Sequence, residues 1–388
     1  MNILIIGNGF DLAHGLPTKY TDFLKFIQAY KKYKELCNSG KSADEEWKES
    51  LNEEKNQLLY LKDLCENRED LFHELGEMIF ENVWINYFNE IYEQQVKMGK
   101  DGWIDFESEM SAIIQALDCA RKEIMLQIGQ GKAIARLQLG LFKTLKPILL
   151  TWNKNINSQT GLTMEMIPYV KKILLDSLNK LTRCLEIYLC DYVERFYMSR
   201  YKNIIPRLHF VEEIKIDCVL SFNYTEVFRN LYDVEDFVSY DYIHGKADIN
   251  HSLEDCNLIL GIDEYLGENE RDHDNEFVQF KKFYQRIYKQ TGCKYLSWIS
   301  EFERAGTYLS PEPGKLYIIG HSLNITDKDI LEKLIMTPNM ETVIFYHNKD
   351  ALGDQIASLV ELIGENELIK RVHGKSATIF FREMKSGR

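Results

Sequence analysis

The chain opens with residues 1–24, MNILIIGNGFDLAHGLPTKYTDFL, and this stretch decides the fold. Residues 2–6 form a short apolar run, which is typical of a strand buried in a parallel sheet. The run ends at Gly7-Asn8-Gly9, where a chain leaving a strand can turn tightly and expose backbone N–H groups. The apolar spacing of residues 20–27 then predicts a helix. Strand, glycine loop and helix are how an α/β sheet presents a nucleotide site.

The spacing of the glycines departs from the dinucleotide-binding fingerprint. A G-x-G pair is present at Gly7 and Gly9, but the third glycine is Gly15, six residues after Gly9 rather than three. The fingerprint requires the shorter spacing, because its third glycine lets the helix pack closely on the strand. The stretch therefore argues against an ordinary dehydrogenase.

Length and charge limit the classes of protein. The chain has 388 residues, enough for one large α/β domain with an insertion or for two domains. Its apolar fraction of 45% is ordinary for a globular protein. The formal net charge of −13 is spread along the chain. A general nucleic-acid surface needs clustered Lys and Arg, so none is expected.

The cysteines and the hydropathy indicate a reduced environment. Eight cysteines contain no C-x-x-C pair, which argues against a structural zinc site and a small disulfide framework. No signal peptide opens the chain, and no apolar run reaches the roughly 18 residues of a membrane span. We expect a cytoplasmic protein without a metal and without membrane association. The cysteines are at positions 37, 65, 119, 184, 190, 218, 256 and 293.

The hydrophobic periodicity divides the chain into a helical segment and segments with predicted strands. Between residues 31 and 200 the spacing is helical, and a stripe from Val170 to Phe196 predicts one long helix. We predict an α/β, Rossmann-like, mostly parallel sheet formed by residues 1–30 and 205–388, with residues 31–204 as a large all-helical insertion. The charged segment 267–277 is a candidate lid. The later strands are expected to begin at Asp217, Tyr240, Asn257, Lys315, Glu341 and Ser376.

Polar residues follow three of these strands, in SFNYT (221–225), IHG (243–245) and IIGHSL (318–323). Because the carboxyl ends of parallel strands lie at one edge of the sheet, we expect these segments to meet the first glycine loop. Each segment also has a purely structural explanation. A strand-to-helix turn with polar caps accounts for any one of them alone.

Three side chains have both a structural and a chemical interpretation. Asp11 either caps the first helix or opposes positive charge on a sugar. Asn223 either caps the next helix or holds a ribose hydroxyl or a water. His244 is either a hydrogen-bonded structural residue or a general base, and the histidines other than His244 and His321 are taken as structural.

The order of these motifs resembles that of sirtuin-type NAD sites. Sirtuins run G-A-G with G-I-P, then T-x-N, H-G and G-x-S-L; this chain has GNG with GLP in residues 7–17, then SFN at 221–223, HG at 244–245 and GHSL at 320–323. The opening GNGFDLAHGLPTKYTDF more closely resembles the signature of the bacteriophage abortive-infection AbiH family. WIDFE at 103–107 resembles a further motif of that family, so the likeness touches both ends and the middle of the chain.

The resemblance implies an antiviral protein, a hydrolase that consumes NAD by cleaving the bond between nicotinamide and ribose. By motif, Asn223 and His244 become the catalytic pair, with Asp11 as an electrostatic contributor. No metal is implied, and a phage-derived trigger and a homo-oligomer are left open. The resemblance implies nucleotide contacts at Gly7, Asn8, Gly9, Phe10, Pro17, Thr18, Phe222, Gly320, His321 and Ser322.

Departures from the sirtuin pattern limit what it implies. Phe222 stands where sirtuin deacetylases have Gln, Thr18-Lys19-Tyr20 replaces Asp-Phe-Arg, and the zinc-binding cysteine pairs are missing. These differences argue against protein deacylation. The alternative function is a non-catalytic sensor that binds NAD or ADP-ribose and signals through the helical insertion. An enzyme that cleaves nucleic acid is disfavoured by the acidity of the chain, and roles for Asp105 and Glu107 stay open.

Overall fold

A computed structural model of the protein describes residues 1–39, 52–99, 104–131, 139–152, 162–233, 235–266, 274–308, 313–375 and 377–384. The chain divides into two compact units. The sheet unit contains residues 1–18, 189–247 and 290–388, and the helical unit contains residues 19–188 and 248–289. The predicted domain limits, after residues 30 and 204, differ from the limits of these units and remain a prediction.

The sheet unit contains six parallel strands in the order β3-β2-β1-β4-β5-β6. This confirms the predicted α/β class with a Rossmann-like parallel sheet. The order reverses direction between β1 and β4, the position where open α/β sheets form a crevice at their carboxyl edge. The strands are β1 Asn2–Ile6, β2 Cys218–Ser221, β3 Ser239–Tyr242, β4 Gly314–Ile319, β5 Met340–Tyr346 and β6 Ile379–Glu383.

The central strands are apolar because both of their faces are covered. Ile3 to Ile6 of β1 and Leu316 of β4 are fully buried or nearly so, as expected for a parallel sheet with helices on both sides. One face packs on Trp298 and Ile330 from two later helices. The helices of this unit are α1 Asn8–Ala13, α9 Ser199–Tyr201, α10 His209–Glu212, α11 Val227–Tyr232, α13 Lys294–Tyr308, α14 Lys328–Ile335, α15 Lys349–Ile363 and α16 Glu365–His373.

The helical unit has no strand among its described residues between 31 and 188, as the periodicity predicted. One of its helices, α8 (Met166–Ile187), continues directly into a π-helix, Tyr188–Met198. The predicted long helix is therefore present, but its last part has π rather than α hydrogen bonding. Among the described residues the α-helices of the unit are α2 Tyr20–Ser39, α3 Asn52–Asn67, α4 Glu69–Ile79, α5 Val83–Lys97, α6 Phe106–Gly129, α7 Leu139–Trp152, α8 Met166–Ile187 and α12 Lys282–Lys289.

The strand predicted to begin at Asn257 is absent, and this prediction is wrong. Residues 258–262 are buried but lie outside the sheet. Gln285 Nε2 donates to Leu260 O at 3.1 Å, Lys289 Nζ donates to Leu258 O at 2.6 Å, and Ile262 forms an isolated parallel bridge with Lys281. An apolar run reports burial and does not by itself require strand pairing.

Some predicted features fall outside the described residues. They are Trp103 of the WIDFE motif, residues 267–273 of the candidate lid and Ser376 at the start of the last predicted strand.

Candidate functional site

Four loops of the sheet unit leave the carboxyl ends of four neighbouring strands. In the spatial order β3, β2, β1, β4 they begin at Ile243, Phe222, Gly7 and Gly320. Backbone hydrogen bonds join them: Phe222 N donates to Ile6 O at 2.9 Å, and Gly9 N donates to Gly320 O at 2.8 Å. The structure thus brings together the four segments that the sequence analysis selected.

The glycines of the first loop let it touch the loop after β4. A Cβ on Gly7 would lie 2.7 Å from Gly320 O, and one on Gly9 would lie 2.8 Å from Gly320 Cα. Gly320 has a φ of +67°. The N–H of Gly7 donates to Ile319 O at 3.2 Å. Since the N–H groups of Gly7 and Gly9 are already bonded, a phosphate at this loop would depend on exposed Asn8.

Asp11 and Asn223 are hydrogen-bonded to each other. Asn223 Nδ2 donates to Asp11 Oδ1 at 2.9 Å and to Gly7 O at 3.0 Å, and Thr225 Oγ1 donates to Asp11 Oδ2 at 2.6 Å. Gly7 is the N-cap of α1, and α11 has Glu226 as its N-cap. Neither Asp11 nor Asn223 therefore caps a helix.

These bonds fix the orientation of the Asn223 amide. Both of its N–H groups donate hydrogen bonds, and its Oδ1 is the acceptor atom of the same amide. Asn223 is 6% exposed. The oxygen of an amide that is held in place in this way can accept from a hydroxyl or a water that enters the site.

Burial changes the protonation of Asp11. Desolvation raises the pKa of Asp11 from 3.8 to about 7, although the hydrogen bonds from Thr225 and Asn223 favour the carboxylate. The group therefore changes charge near neutral pH. A carboxyl with so large a shift inside a strand-end cluster is typical of functional sites, although structural networks also produce such shifts.

Glu194 is a second carboxyl of this region, and the sequence analysis did not select it. It lies in the π-helix and accepts from Glu226 N at 2.6 Å and from Asn230 Nδ2 at 3.3 Å. Burial raises its pKa to about 8, and the charge of Asp11 adds to the shift. A π-helix often occurs at a functional site. The sequence signal for Glu194 was a carboxylate within the predicted long helix, between the apolar positions Tyr192 and Phe196.

His244 follows β3 and is 8% exposed. Its Nε2 lies 3.6 Å from Asp327 Oδ1, and its buried Nδ1 has no hydrogen-bond partner among the described residues. The ring of Phe222 meets it edge to face, with centroids 5.6 Å apart. An unsatisfied buried nitrogen is uncommon in a folded protein and is consistent with a catalytic role.

His321 also packs against Phe222, with ring centroids 4.3 Å apart. Its Nδ1 accepts from Leu323 N at 2.9 Å, and its Nε2 lies 3.6 Å from Asp327 Oδ2. Asp327 is the N-cap residue of α14, but its side chain makes no capping hydrogen bond. The fold places its carboxylate between His244 and His321.

The other predicted nucleotide contacts have varied surroundings. Phe10 is fully buried against His14, with ring centroids 4.6 Å apart, so its ring belongs to the core. His14 is hydrogen-bonded to Phe10 O and Tyr232 Oη, which is the structural role expected for it. Thr18 Oγ1 donates to Asn8 Oδ1 at 2.7 Å. Ser322 is exposed and Pro17 is half-buried.

Asp105 and Glu107 have local partners within the helical unit. Asp105 caps α6, accepting from Glu107 N at 3.0 Å, and Glu107 Oε2 lies 2.6 Å from Lys282 Nζ. These contacts are those of a helix cap and an ion pair.

Two further properties concern metals and membranes. Within the described ranges, no group of three or more His, Cys, Asp or Glu side chains could hold a metal ion. None of the described helices is long and apolar enough to cross a membrane.

A parallel sheet in this order, with polar loops at its carboxyl edge, defines a Rossmann-like α/β protein. The family model described as "Bacteriophage abortive infection AbiH" matches residues 3–347. The chain therefore belongs to the AbiH family of bacteriophage abortive-infection proteins. Comparisons with curated proteins and with solved structures gave no match.

Proposed function

We propose that this protein acts in antiphage abortive infection by binding NAD at the carboxyl edge of its sheet and hydrolysing the nicotinamide–ribose bond. The observation that carries the proposal is the hydrogen-bonded pair of Asn223 and Asp11 after β2, together with His244 after the adjacent strand β3. An oriented amide oxygen and an imidazole then stand at the ends of β2 and β3, which are adjacent and in register.

The reaction makes particular demands on such a site. Water attacks C1′ of the ribose, the C1′–N bond breaks, and its electron pair leaves with neutral nicotinamide. The sugar carries positive charge in the transition state, as it does in glycoside hydrolysis. One proton of the water must be removed. The products are ADP-ribose, nicotinamide and that proton.

The residues meet these demands in different ways. Asn223 Oδ1 accepts a hydrogen bond from the ribose or from the attacking water, since its amide N–H groups are held by Gly7 and Asp11. His244 takes the proton, and a positioned base typically contributes about 10²–10⁴-fold in rate. Asp11 orients Asn223 and, when ionised, stabilises the sugar cation.

Purified full-length protein tests the proposal directly. NAD or NADP is added, nicotinamide and ADP-ribose are measured by chromatography, and binding is followed by calorimetry. We expect the wild type to release both products and Asn223→Ala and His244→Ala to lose at least about 10²-fold in kcat. His347→Ala is the matched control, because His347 is exposed.

Two outcomes would contradict parts of the proposal. Full turnover by either site variant would remove that residue from the mechanism. Tight binding by the wild type without nicotinamide release would instead favour a nucleotide sensor that signals through the helical unit.

A further inference from the structure

Asp327 lies between two imidazole rings in the sheet unit. Its Oδ1 is 3.6 Å from His244 Nε2, and its Oδ2 is 3.6 Å from His321 Nε2. Both distances exceed a hydrogen bond but place each ring nitrogen next to a buried carboxylate. Catalytic hydrogen bonds are often long without substrate and shorten in the complex.

The backbone determines the tautomer of His321. Leu323 N–H donates to His321 Nδ1, so this nitrogen carries a lone pair and Nε2 carries the proton. Protonation of Nδ1 would point two N–H groups at each other and break that bond. The backbone is held for this contact, since Leu323 has a φ of +58°, a conformation that non-glycine residues rarely adopt. His321 therefore presents a neutral ring to Asp327.

The negative charge of Asp327 also acts on the tautomer of His244. A lone pair on Nε2 would face the negative Asp327 Oδ1, whereas an N–H there is attracted to it. The favoured form of His244 consequently has Nε2–H and a lone pair on Nδ1. Nδ1 is the nitrogen that no described residue bonds to.

We propose that Asp327 is a positioning residue that holds His244 in the Nε2–H tautomer, so that Nδ1 is the atom that accepts the proton. This inference rests on the proposed hydrolase for its catalytic meaning, but the tautomer is a property of the protein alone. Asp327 also stabilises the imidazolium that forms when Nδ1 is protonated, the role that a carboxylate has beside a catalytic histidine.

The unbonded His244 Nδ1 is inaccessible in the site without substrate. Nδ1 is buried as well as unbonded, so substrate reaches it only when the groups that cover it move. Leaving a lone pair unsatisfied costs stability. In return, the unbonded lone pair of Nδ1 is available to accept a proton during the reaction.

Nitrogen NMR of the full chain tests the tautomer. The protein is labelled with ¹⁵N at its nine histidines, and the signals of His244 are assigned by their loss in His244→Gln. We expect His244 Nδ1 to have the shift of an unprotonated ring nitrogen and Nε2 that of a protonated one. In Asp327→Asn the charge is gone, and we expect the Nδ1–H form to appear.

Turnover of NAD provides the second readout. Asp327→Asn should lower kcat by about 10²–10⁴-fold, the range for a misdirected base, with little change in KM. Asp329→Asn is the matched control, because Asp329 is exposed and lies in the helix that directly follows Asp327. It should keep both the wild-type spectrum and the wild-type rate.

The outcomes separate this inference from the proposed function. A proton on His244 Nδ1 in the wild type, or an unchanged His244 spectrum in Asp327→Asn, would overturn the role of Asp327 whether or not NAD is cleaved. The expected spectra in a protein that releases no nicotinamide would support the tautomer and reject the hydrolase.

Discussion

Replacing Asp11 with Asn should change how the stability of the sheet unit depends on pH. Protonated Asp11 is neutral, and the Asn side chain imitates that form, with one oxygen for Asn223 Nδ2 and one donor toward Thr225 Oγ1. The wild type and Asp11→Asn should therefore be similar at low pH. They should diverge as the pH rises.

The magnitude follows from the pKa of Asp11, which burial raises from 3.8 to about 7. Between these values the folded protein holds a proton that the unfolded chain has lost, so stability falls as the pH increases. Folded Asp11 is half ionised at pH 7, so integration from pH 5 to pH 7 gives about 2.3 kcal/mol at 1.36 kcal/mol per unit. Between about pH 5 and pH 7 the wild type should lose that amount relative to Asp11→Asn.

Calorimetry of thermal unfolding at about pH 5, 6 and 7 measures this difference. For a domain of this size about 1 kcal/mol corresponds to about 2–4 °C, so the gap in Tm should widen by roughly 5–10 °C. The charge of Asp11 contributes to the raised pKa of Glu194, which is about 8, so both proteins are compared in a Glu194→Gln background. Asp354→Asn serves as control, because Asp354 is exposed.

Parallel loss of stability in the wild type and Asp11→Asn over this range would refute the argument. It would mean that Asp11 is already ionised at pH 5 in the folded protein. Its hydrogen bonds to Asn223 and Thr225 would then outweigh its burial.

Two further predictions concern stability. Tyr242→Phe should leave the free energy of unfolding unchanged or raise it by up to about 1 kcal/mol, because the buried Tyr242 hydroxyl has no partner among the described residues. Tyr240→Phe should lower it by about 1.5–3 kcal/mol, because this variant loses a 2.8 Å hydrogen bond to Asp233. Equal effects of the two substitutions in urea titrations would contradict this prediction. Gly320→Ala should lower the free energy of unfolding by at least about 2 kcal/mol, because the added Cβ would overlap the backbone of α1. Gly15 also has a positive φ but open space around it, so Gly15→Ala should lower it by about 1–2 kcal/mol. A smaller loss at Gly320 than at Gly15 would argue against the contact between Gly320 and α1.

The meeting of the four loops could be predicted from the sequence for a geometric reason. Asn223, His244 and Gly320 each follow an apolar run, and parallel strands place their carboxyl ends at one edge. Strand runs with β-branched residues and their polar followers are both local signals. The fold class and the neighbourhood of the site therefore follow from local patterns.

The pairings within the site could not be predicted in the same way. Asp327 is typical of a helix cap in sequence, and only the packing of its loop brings it near His244. Glu194 belongs to a different helix, far from the motifs along the chain. Phe10 has the position of a ligand contact within the first motif, yet its ring is in the core. Side-chain partners depend on tertiary contacts that no single stretch encodes.

The most direct test of the central claim is the NAD content of bacterial cells that express the wild type or His244→Ala during phage infection. The trigger does not have to be identified for this test, since the infection supplies it. We predict that NAD falls and nicotinamide and ADP-ribose rise only with the wild type, at equal protein levels. Protection from phage with unchanged NAD, or an equal fall of NAD with His244→Ala, would contradict it.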